Sequence, residues 1–373
     1  MKKNIKQVRK ALQLLPKPYT ASVSRSSVAQ ELGVPIDTII KLDSGENVFG
    51  PPFAVSDFNM SELLQDVSLY PDSQSTILKE KIAQRVGVNL NMVAIGNGSD
   101  ELIDLICRLF LDSSRVLIDA TPTFPMYRLF GTVMGATVVD VPRVKDFSLD
   151  IPALTKALTK ADLLFLANPN NPTGTFTPIA DIEQLLAIGK MIVVDEAYFE
   201  FCGKSAIGLV QKWPNLIVLR TFSKWAGLAG VRVGYMVAQP EIIDLILAIR
   251  PPYSVNMFAQ IFAAKIIDDP TKWLQSVDEL KEGRDWFLNA ASKSDTGLKN
   301  WKVVPSQASC VTLLPQRDVK DLAIKTAQEL KKAGILVKVM TLNDMQVIRM
   351  SVAPVKIMNQ VCKALKKIEE RNI

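Results

Sequence analysis

Seven short apolar runs between residues 90 and 240 constrain the fold of this chain more than any other feature. They lie at 92–96, 115–120, 137–141, 163–167, 191–197, 216–222 and 231–238. Most are continuous runs of Val, Ile and Leu rather than alternating patterns, which is typical of strands buried on both faces. Helix-like segments, for example 100–111 and 179–188, separate them. This alternation predicts an α/β fold with a mostly parallel sheet sandwiched by helices.

Two details of the pattern refine that prediction. No long helix fits between the last two apolar runs, so these two strands can pair antiparallel. After Pro240 the pattern changes to long helical stretches over 240–293, interrupted at Pro251-Pro252 and Pro270. From about residue 300 we expect a smaller α/β unit with a strand over 303–314, a helix over 318–333, strands over 335–340 and 346–352, and a helix over 354–370.

The composition removes several classes of chemistry. The 373 residues include no histidine, which excludes Ser-His-Asp and Cys-His catalysis and every histidine-ligated metal site. The four cysteines are far apart and form no CxxC pair, so we expect free thiols in a reducing compartment and no metal. The catalytic chemistry must therefore come from carboxylates, lysine, phenols or a cofactor.

The charge balance is basic but carries no nucleic-acid signature. The formal net charge is +6 and the pI is about 9.0, yet Lys and Arg are dispersed, without aromatic interleaving. Solubility and an anionic substrate explain this better than nucleic acid does. No uncharged apolar run reaches the length of about 18 residues that a transmembrane helix needs.

Three motifs follow β-like runs in a fixed order. They are NPNNPTG (168–174), VVDEAY (193–198) and TFSKWAGLAGVRVGY (221–235). The amine of Lys224 can form an imine with an aldehyde, and its apolar, small-residue surroundings lower the pKa of an amine. Asp195 is a carboxylate that can keep a pyridine nitrogen protonated, and Ser223 with Arg232 is suited to a phosphate. Each motif alone is weak, but together they predict a pyridoxal phosphate (PLP) site.

Further segments identify a family. They are KLDSGENVFGPP (41–52), LYPD (69–72), GNGSDELIDLI (96–106), PTFPMY (122–127), RPPYSVN (250–256) and VIRMSVA (347–353). With the three motifs above, the chain resembles the class I/II, fold-type I PLP-dependent aminotransferases, and within them the histidinol-phosphate aminotransferase family. The similarity runs from about Tyr19 to the C-terminus.

The resemblance implies an organisation for the whole chain. We expect an N-terminal arm (1–50) that is part of the small domain, a large PLP-binding domain (51–269) and a small domain (270–373). Two copies are expected to form a homodimer with shared sites and small-molecule substrates. Residues 1–30 carry seven Lys or Arg and no acid, as transit peptides do. Because the similarity starts near Tyr19, a cytoplasmic protein with an N-terminal arm is favoured.

The resemblance also implies the cofactor contacts. Lys224, Asp195 and Tyr198 are the expected catalytic residues. Ser99 and Asp100 open a helix whose amides face the cofactor phosphate, and Tyr70 reaches the phosphate in the partner subunit. The full cofactor set is Tyr70, Ser99, Asp100, Phe124 as the ring-stacking aromatic, Asn171 and Tyr198 at the phenolic oxygen, Asp195, Ser223, Lys224 and Arg232.

The substrate side matches the family less well. Arg349 matches the arginine that holds the substrate's anionic group, and the other expected contacts are Tyr19, Asn47, Tyr253 and Lys338. Departures from the family pattern occur at Gly45, Val48, Ser309 and Lys338, where the family usually has Asn, Pro, Asn and Arg. A lysine is a point charge rather than a bidentate fork. The specificity segments are therefore less typical than the catalytic ones.

The expected reaction is transamination between L-histidinol phosphate and 2-oxoglutarate. An aminotransferase for aromatic or other amino acids, or a related PLP-dependent decarboxylase, is the alternative within the fold. A non-catalytic ligand-binding protein of the same fold is disfavoured, because Lys224 and Asp195 are both present. A nicotinamide dehydrogenase is also disfavoured, because no G-x-G-x-x-G follows the first strand.

Overall fold

The structure is a computed structural model that describes residues 23–371 except 295, 317, 318 and 320. The strands are β1 Ile40–Lys41, β2 Val93–Gly96, β3 Val116–Asp119, β4 Thr137–Asp140, β5 Leu163–Ala167, β6 Met191–Asp195, β7 Leu216–Thr221, β8 Gly234–Val237, β9 Trp301–Val303, β10 Cys310–Pro315, β11 Ile335–Leu336, β12 Lys338–Leu342 and β13 Met345–Ser351. The helices are α1 Arg25–Leu32, α2 Met60–Asp66, α3 Thr76–Val86, α4 Ser99–Phe110, α5 Met126–Met134, α6 Ile151–Leu158, α7 Ile179–Leu186, α8 Phe199–Cys202, α9 Pro240–Ile249, α10 Met257–Asp268, α11 Pro270–Ala291, α12 Leu322–Lys332 and α13 Val355–Glu370.

All seven predicted apolar runs form one sheet, in the order β2-β8-β7-β6-β5-β3-β4. The pairs among β7, β6, β5, β3 and β4 are parallel. Strand β8 is antiparallel to both of its neighbours, because the short connection from β7 reverses the chain. The predicted mostly parallel sheet and its antiparallel pair are both confirmed.

The continuous apolar runs are explained by burial on both faces of this sheet. In β5, Leu163 and Phe165 pack with the α4 and α9 side, whereas Leu164 and Leu166 pack with the α6 and α7 side. Alternate residues of a strand point to opposite faces, so both positions must be apolar when helices cover both faces. Each fully buried Leu or Phe contributes about 1.5–3 kcal/mol to folding.

Three helices cover the predicted helical region after Pro240. Strand β8 leads directly into α9, which starts at Pro240, and α11 starts at Pro270. Both prolines occupy the first helical position, where the missing amide hydrogen costs nothing. Among the residues described, no helix combines the length and the apolar character needed to cross a membrane.

The C-terminal part holds a second, smaller sheet. Its order is β12-β13-β10-β9, and every pairing is antiparallel. Helices α11 and α13 pack together beside it. The predicted smaller α/β unit is therefore present at the C-terminus. No observation tests the domain boundaries after residues 50 and 269, and they stay predictions.

Two of the expected strands in this part are wrong as single elements. Residues 303–314 divide into β9 and β10, because the intervening loop is held elsewhere, with the amide of Gln307 donating to the carbonyl of Gly174 at 2.8 Å. Residues 335–340 divide into β11 and β12. Strand β11 pairs in parallel with β1, whereas β12 pairs with β13, so the chain changes sheets at Val337. The pairing of β1 with β11 joins the N-terminal segment to the C-terminal part.

Candidate active site

A cavity of about 450 Å³ opens at the carboxyl ends of the parallel strands. Loops that leave adjacent strands of a parallel sheet meet at that edge, which is where such sheets bind ligands. Of the residues expected from the sequence, eleven line the cavity: Ser99, Asp100, Phe124, Asn171, Asp195, Tyr198, Ser223, Lys224, Arg232, Lys338 and Arg349.

Lys224 lies three residues beyond the end of β7 and projects into the cavity. Its amine Nζ is 3.5 Å from the carbonyl oxygen of Ser44. Burial first, and then the positive charge of Arg349, lower the pKa of this amine from 10.5 to about 8, against weaker opposing contributions. A larger fraction of the amine is therefore neutral, and so nucleophilic, near neutral pH.

Asp195 is the last residue of β6 and is buried. The phenol of Tyr127 donates a hydrogen bond to its Oδ2 at 2.7 Å, and the amide of Ala197 donates to its Oδ1 at 3.0 Å. Burial raises the pKa of Asp195 to about 6, while these two hydrogen bonds oppose that rise. The carboxylate is thus held ionised at neutral pH in the cavity lining.

Another part of the cavity lining lies around the start of α4. Gly98 precedes this helix with φ +80°, and a Cβ at this position would lie 2.5 Å from Nη2 of Arg232. Only glycine therefore lets the guanidinium lie against the loop. Nη1 of Arg232 donates to Oγ of Ser223 at 3.5 Å, and its Nη2 donates to Oδ2 of Asp100 at 3.1 Å. A helix N-terminus with an arginine and a hydroxyl beside it is suited to phosphate.

One wall of the cavity is formed by Arg349, which belongs to β13 of the small sheet, and by Tyr198. Nη2 of Arg349 donates to the hydroxyl of Tyr198 at 3.2 Å. Burial raises the pKa of Tyr198, and the nearby Arg349 charge opposes that rise. Nε of Arg349 is buried and has no hydrogen-bond partner among the described residues. A buried, unpartnered guanidinium N–H is costly in the folded protein and is satisfied when an anion binds.

Lys338 and Arg349 lie side by side in the cavity lining. They are direct cross-strand partners in the β12-β13 pair, and both line the cavity. Gly45 borders the same space with φ +74°. A Cβ at residue 45 would lie 2.8 Å from Nη2 of Arg349 and 3.2 Å from Nζ of Lys224. The glycine at position 45, where the family usually has Asn, therefore leaves room for the side chains of Arg349 and Lys224.

Four expected contacts lie outside the cavity or outside the described residues. Tyr70 and Tyr253 stack on each other at the surface, with ring centroids 4.4 Å apart. Nδ2 of Asn47 donates to the carbonyl of Trp225 instead of lining the cavity. Tyr19 lies outside the described residues. Of the other departures, Val48 is exposed and Ser309 is buried.

Several lining residues were missed by the sequence reasoning. Tyr127 belongs to the same PTFPMY segment as Phe124, but nothing in the sequence shows that its hydroxyl reaches Asp195. Asp43 and Glu46 line the cavity. They lie on either side of Gly45 in the segment KLDSGENVFGPP, where they resemble ordinary surface acids. Thr221, the last residue of β7, and Met340, in the middle of β12, also line it.

Comparison with known proteins agrees with this architecture. Residues 37–368 match the model of the family "Aminotransferase class I and II". A histidinol-phosphate aminotransferase of Roseiflexus castenholzii is 40% identical over 297 residues, covering 78% of this chain and 79% of that protein. The enzyme of the same name from Dehalococcoides mccartyi strain 195 is 38% identical over 312 residues, covering 83% and 84%.

A solved structure gives the same fold. The chain aligns with histidinol-phosphate aminotransferase from Sinorhizobium meliloti, solved in complex with pyridoxal-5'-phosphate, with a TM-score of 0.84 and 25% identity. The alignment covers 99% of each chain. The expected fold type I is thereby confirmed.

Proposed function

The chain belongs to the class I and II aminotransferases, and on that premise we propose that it transfers the amino group of L-histidinol phosphate to 2-oxoglutarate. It is a PLP-dependent enzyme, as its family and its similarity to the relatives above indicate. The observation that carries the proposal is the placement of the Lys224 amine, the Asp195 carboxylate and the Arg349–Lys338 cation pair in one cavity.

The residues present fit PLP at both of its ends. Gly98 lets the Arg232 guanidinium lie against the loop before α4, and Ser223 with Arg232 provides donors for the phosphate. Asp195 provides the negative charge that a protonated pyridine nitrogen needs. Tyr198 and Asn171 also line the cavity. When bound, PLP supplies an electron sink for the substrate's reacting carbon.

The protein's own groups then have separate tasks. Lys224 would hold the cofactor, and its amine would move a proton at the substrate's reacting carbon, because an amine with a pKa near 8 can both accept and donate at neutral pH. Asp195 would supply the negative charge for the pyridine nitrogen. Phe124 would pack against the ring, and the cation pair would orient the substrate's phosphate.

Attachment at Lys224 can be tested directly. The purified protein should be yellow after PLP addition, and borohydride should fix the cofactor on the peptide that contains Lys224. Lys190, on the loop before β6, is a matched internal control and should remain unlabelled. Labelling elsewhere, or no chromophore at all, contradicts the proposed site.

The substrate assignment needs its own measurement. A phosphate monoester dianion calls for clustered donors, and the Arg349–Lys338 pair supplies two adjacent positive charges. The values of kcat/KM for histidinol phosphate, phenylalanine and leucine should be compared with 2-oxoglutarate as acceptor. We expect histidinol phosphate to be preferred, with some activity toward phenylalanine because Lys338 lacks the bidentate fork. A preference for phenylalanine would establish the aromatic aminotransferase alternative instead.

We also propose a homodimer with shared sites. Tyr70 is 81% exposed, and Leu64, Val67 and Leu69 expose apolar surface near it in the sequence. Tyr70 is stacked on Tyr253. Each ring holds the other in place at the surface, where both are available for contact with a partner subunit. Symmetric dimers are the commonest soluble oligomers.

Complementation tests this arrangement. Mixed and refolded Tyr70→Ala and Lys224→Ala chains should regain part of the activity, since a hybrid dimer contains one site with both residues intact. A mixture of Tyr70→Ala with Lys332→Met chains, whose substitution lies on the exposed face of α12, is the control for refolding yield. A fully active monomer at micromolar concentration in sedimentation rules the shared site out.

The remaining proposals concern location and domains. Free cysteines at all four positions support a reducing, cytoplasmic compartment. We retain 1–50, 51–269 and 270–373 as the proposed arm, large domain and small domain. Limited proteolysis near residues 50 and 269 tests these boundaries.

A further inference from the structure

Tyr127 is buried beside the cavity in a clamped orientation. Its ring lies parallel to that of Phe165, with centroids 4.7 Å apart and an interplanar angle of 5°, and meets Phe124 edge-on at 5.5 Å. The side chain has no exposed surface. Because two rings fix this phenol, its hydroxyl can point in only one direction, toward Asp195.

The Asp195 carboxylate has two protein donors, one on each oxygen. Tyr127 donates to Oδ2 at 2.7 Å and the amide of Ala197 donates to Oδ1 at 3.0 Å. Hydrogen bonds from donors favour the ionised form of a carboxylate. They also fix the plane of the carboxylate, because neither donor can move without moving α5 or the turn after β6.

We propose that Tyr127 is a positioning residue that holds Asp195 ionised and oriented toward the cavity before the cofactor binds. This inference rests on the proposed role of Asp195. It concerns the cofactor-free protein, however, so it can fail while the proposed transamination stands.

The charged surroundings support this role. Burial raises the pKa of Asp195 to about 6, and the hydrogen bond from Tyr127 is the largest contribution that opposes the rise. The Ala197 amide and the charge of Lys224 also lower the pKa, whereas Asp100 on α4 raises it. Tyr198 faces the same carboxylate. Removing the phenol hydroxyl therefore removes the main group that keeps Asp195 charged near neutral pH.

The groups around Tyr127 keep the phenol protonated. Burial raises its pKa, and the negative charges of Asp195 and Asp119 raise it further. The buried guanidinium of Arg143 also lies near this phenol. A phenol that stays protonated at all working pH values is a permanent donor, so the titrating partner is Asp195.

The test uses cofactor-free protein and compares thermal stability with and without the Asp195 carboxyl. The difference in Tm between Asp195 and Asp195→Asn chains is measured from pH 4 to 9, once with Tyr127 and once with Tyr127→Phe. Folding raises the pKa of Asp195 from 3.8 to about 6. The stability of the Asp195 chain relative to the Asp195→Asn chain should therefore fall as the pH rises through this window, and it should be constant at higher pH. With Tyr127→Phe we expect the decline to continue at least one pH unit higher.

A purely structural role gives a different result. In that case Tyr127→Phe lowers Tm by the same amount at every pH. The pH range over which the relative stability of the Asp195 chain falls is then unchanged, and this result overturns the proposal. Tyr235→Phe is the matched control, since Tyr235 is a buried tyrosine of the same sheet that contacts Arg220 rather than Asp195. It should leave the window unchanged.

A second substitution keeps the packing intact if Tyr127→Phe folds poorly. Incorporation of 3-fluorotyrosine at position 127 makes the phenol a stronger donor with almost the same shape. The fall in the relative stability of the Asp195 chain should then end at a lower pH. An unchanged end point contradicts the proposal. In the holoenzyme, Tyr127→Phe should lower kcat about tenfold with little change in KM.

Discussion

The two ends of the cavity are built in different ways. The proposed cofactor end lies at the carboxyl edge of β5, β6 and β7. Asp195 is the last residue of β6, and Asn171 and Lys224 lie a few residues after β5 and β7. The proposed substrate end is assembled from separate parts of the chain. Gly45 comes from the loop after β1, whereas Lys338 and Arg349 come from the small antiparallel sheet.

We expect this difference to separate effects on catalysis from effects on substrate binding. The proposed cofactor end is supported by the buried seven-stranded sheet. The substrate end depends on contacts between distant segments, such as the amide of Gly45 donating to Oγ of Ser351 at 2.8 Å. Changes at the first end should therefore affect kcat, and changes at the second should affect KM.

The largest effect is expected for Asp195→Asn. Loss of the buried charge should lower kcat about 10³-fold, because charge that develops on the ring is no longer stabilised, while borohydride labelling of Lys224 persists. Asp119→Asn is the matched control, as Asp119 is a buried acid at the end of β3 that pairs with Arg128. Single-turnover kinetics measures both. A near wild-type rate for Asp195→Asn would contradict the proposed difference between the two ends of the cavity, since the cofactor end would then not control catalysis.

Arg349→Met should act mainly on the substrate. We expect kcat/KM for histidinol phosphate to fall about 10²-fold, since a hydrogen bond to a charged group contributes about 1.5–3 kcal/mol. Lys338→Met should cost about tenfold, because a point charge holds a phosphate less firmly. Lys332→Met, an exposed lysine of α12, is the control and should change nothing. If Arg349→Met lowers kcat alone, the two ends are not separable.

Gly45→Ala sharpens the comparison at one loop. The added Cβ would meet Arg349 and Lys224, whereas the same change at Gly50, with φ +72°, meets no atom within 4 Å. Both variants should lose about 1 kcal/mol of stability from backbone strain. Only Gly45→Ala should also lower kcat/KM, by about tenfold. Equal activity of the two variants means that the residue 45 contact has no role in substrate binding.

The smallest effect links the two ends through charge. Folding lowers the pKa of Lys224 from 10.5 to about 8, by burial first and then by the Arg349 charge. Between these values the unfolded chain binds more protons, so the stability of cofactor-free protein relative to Lys224→Met should rise from pH 8 to pH 10.5. In an Arg349→Met background the rise should start at a higher pH. Thermal denaturation across this range measures it, and an unchanged onset means that Arg349 does not influence the lysine.

The sequence by itself determined the sheet and most of the proposed cofactor end. Apolar runs located all seven strands. Every residue of β2, β5 and β7 is buried, which requires a continuous apolar run, whereas the edge strand β4 is largely exposed. Asp195 ends one buried strand and Lys224 follows another, and the carboxyl ends of parallel strands share one edge, so their proximity could be predicted without coordinates. The short link before β8 likewise indicated its reversal.

Only the tertiary structure decided the rest, because it depends on contacts between distant segments. Loop 304–309 docks on Gly174 and divides an apparent strand, and β11 leaves the small sheet to pair with β1. The hydrogen bond from Tyr127 to Asp195 depends on how α5 places the Tyr127 ring against Phe165 of β5. The space beside Gly45 likewise exists only where a separate sheet brings Arg349 to it. Such contacts leave no periodic pattern in the sequence, since each is set by the packing of elements that are far apart along the chain.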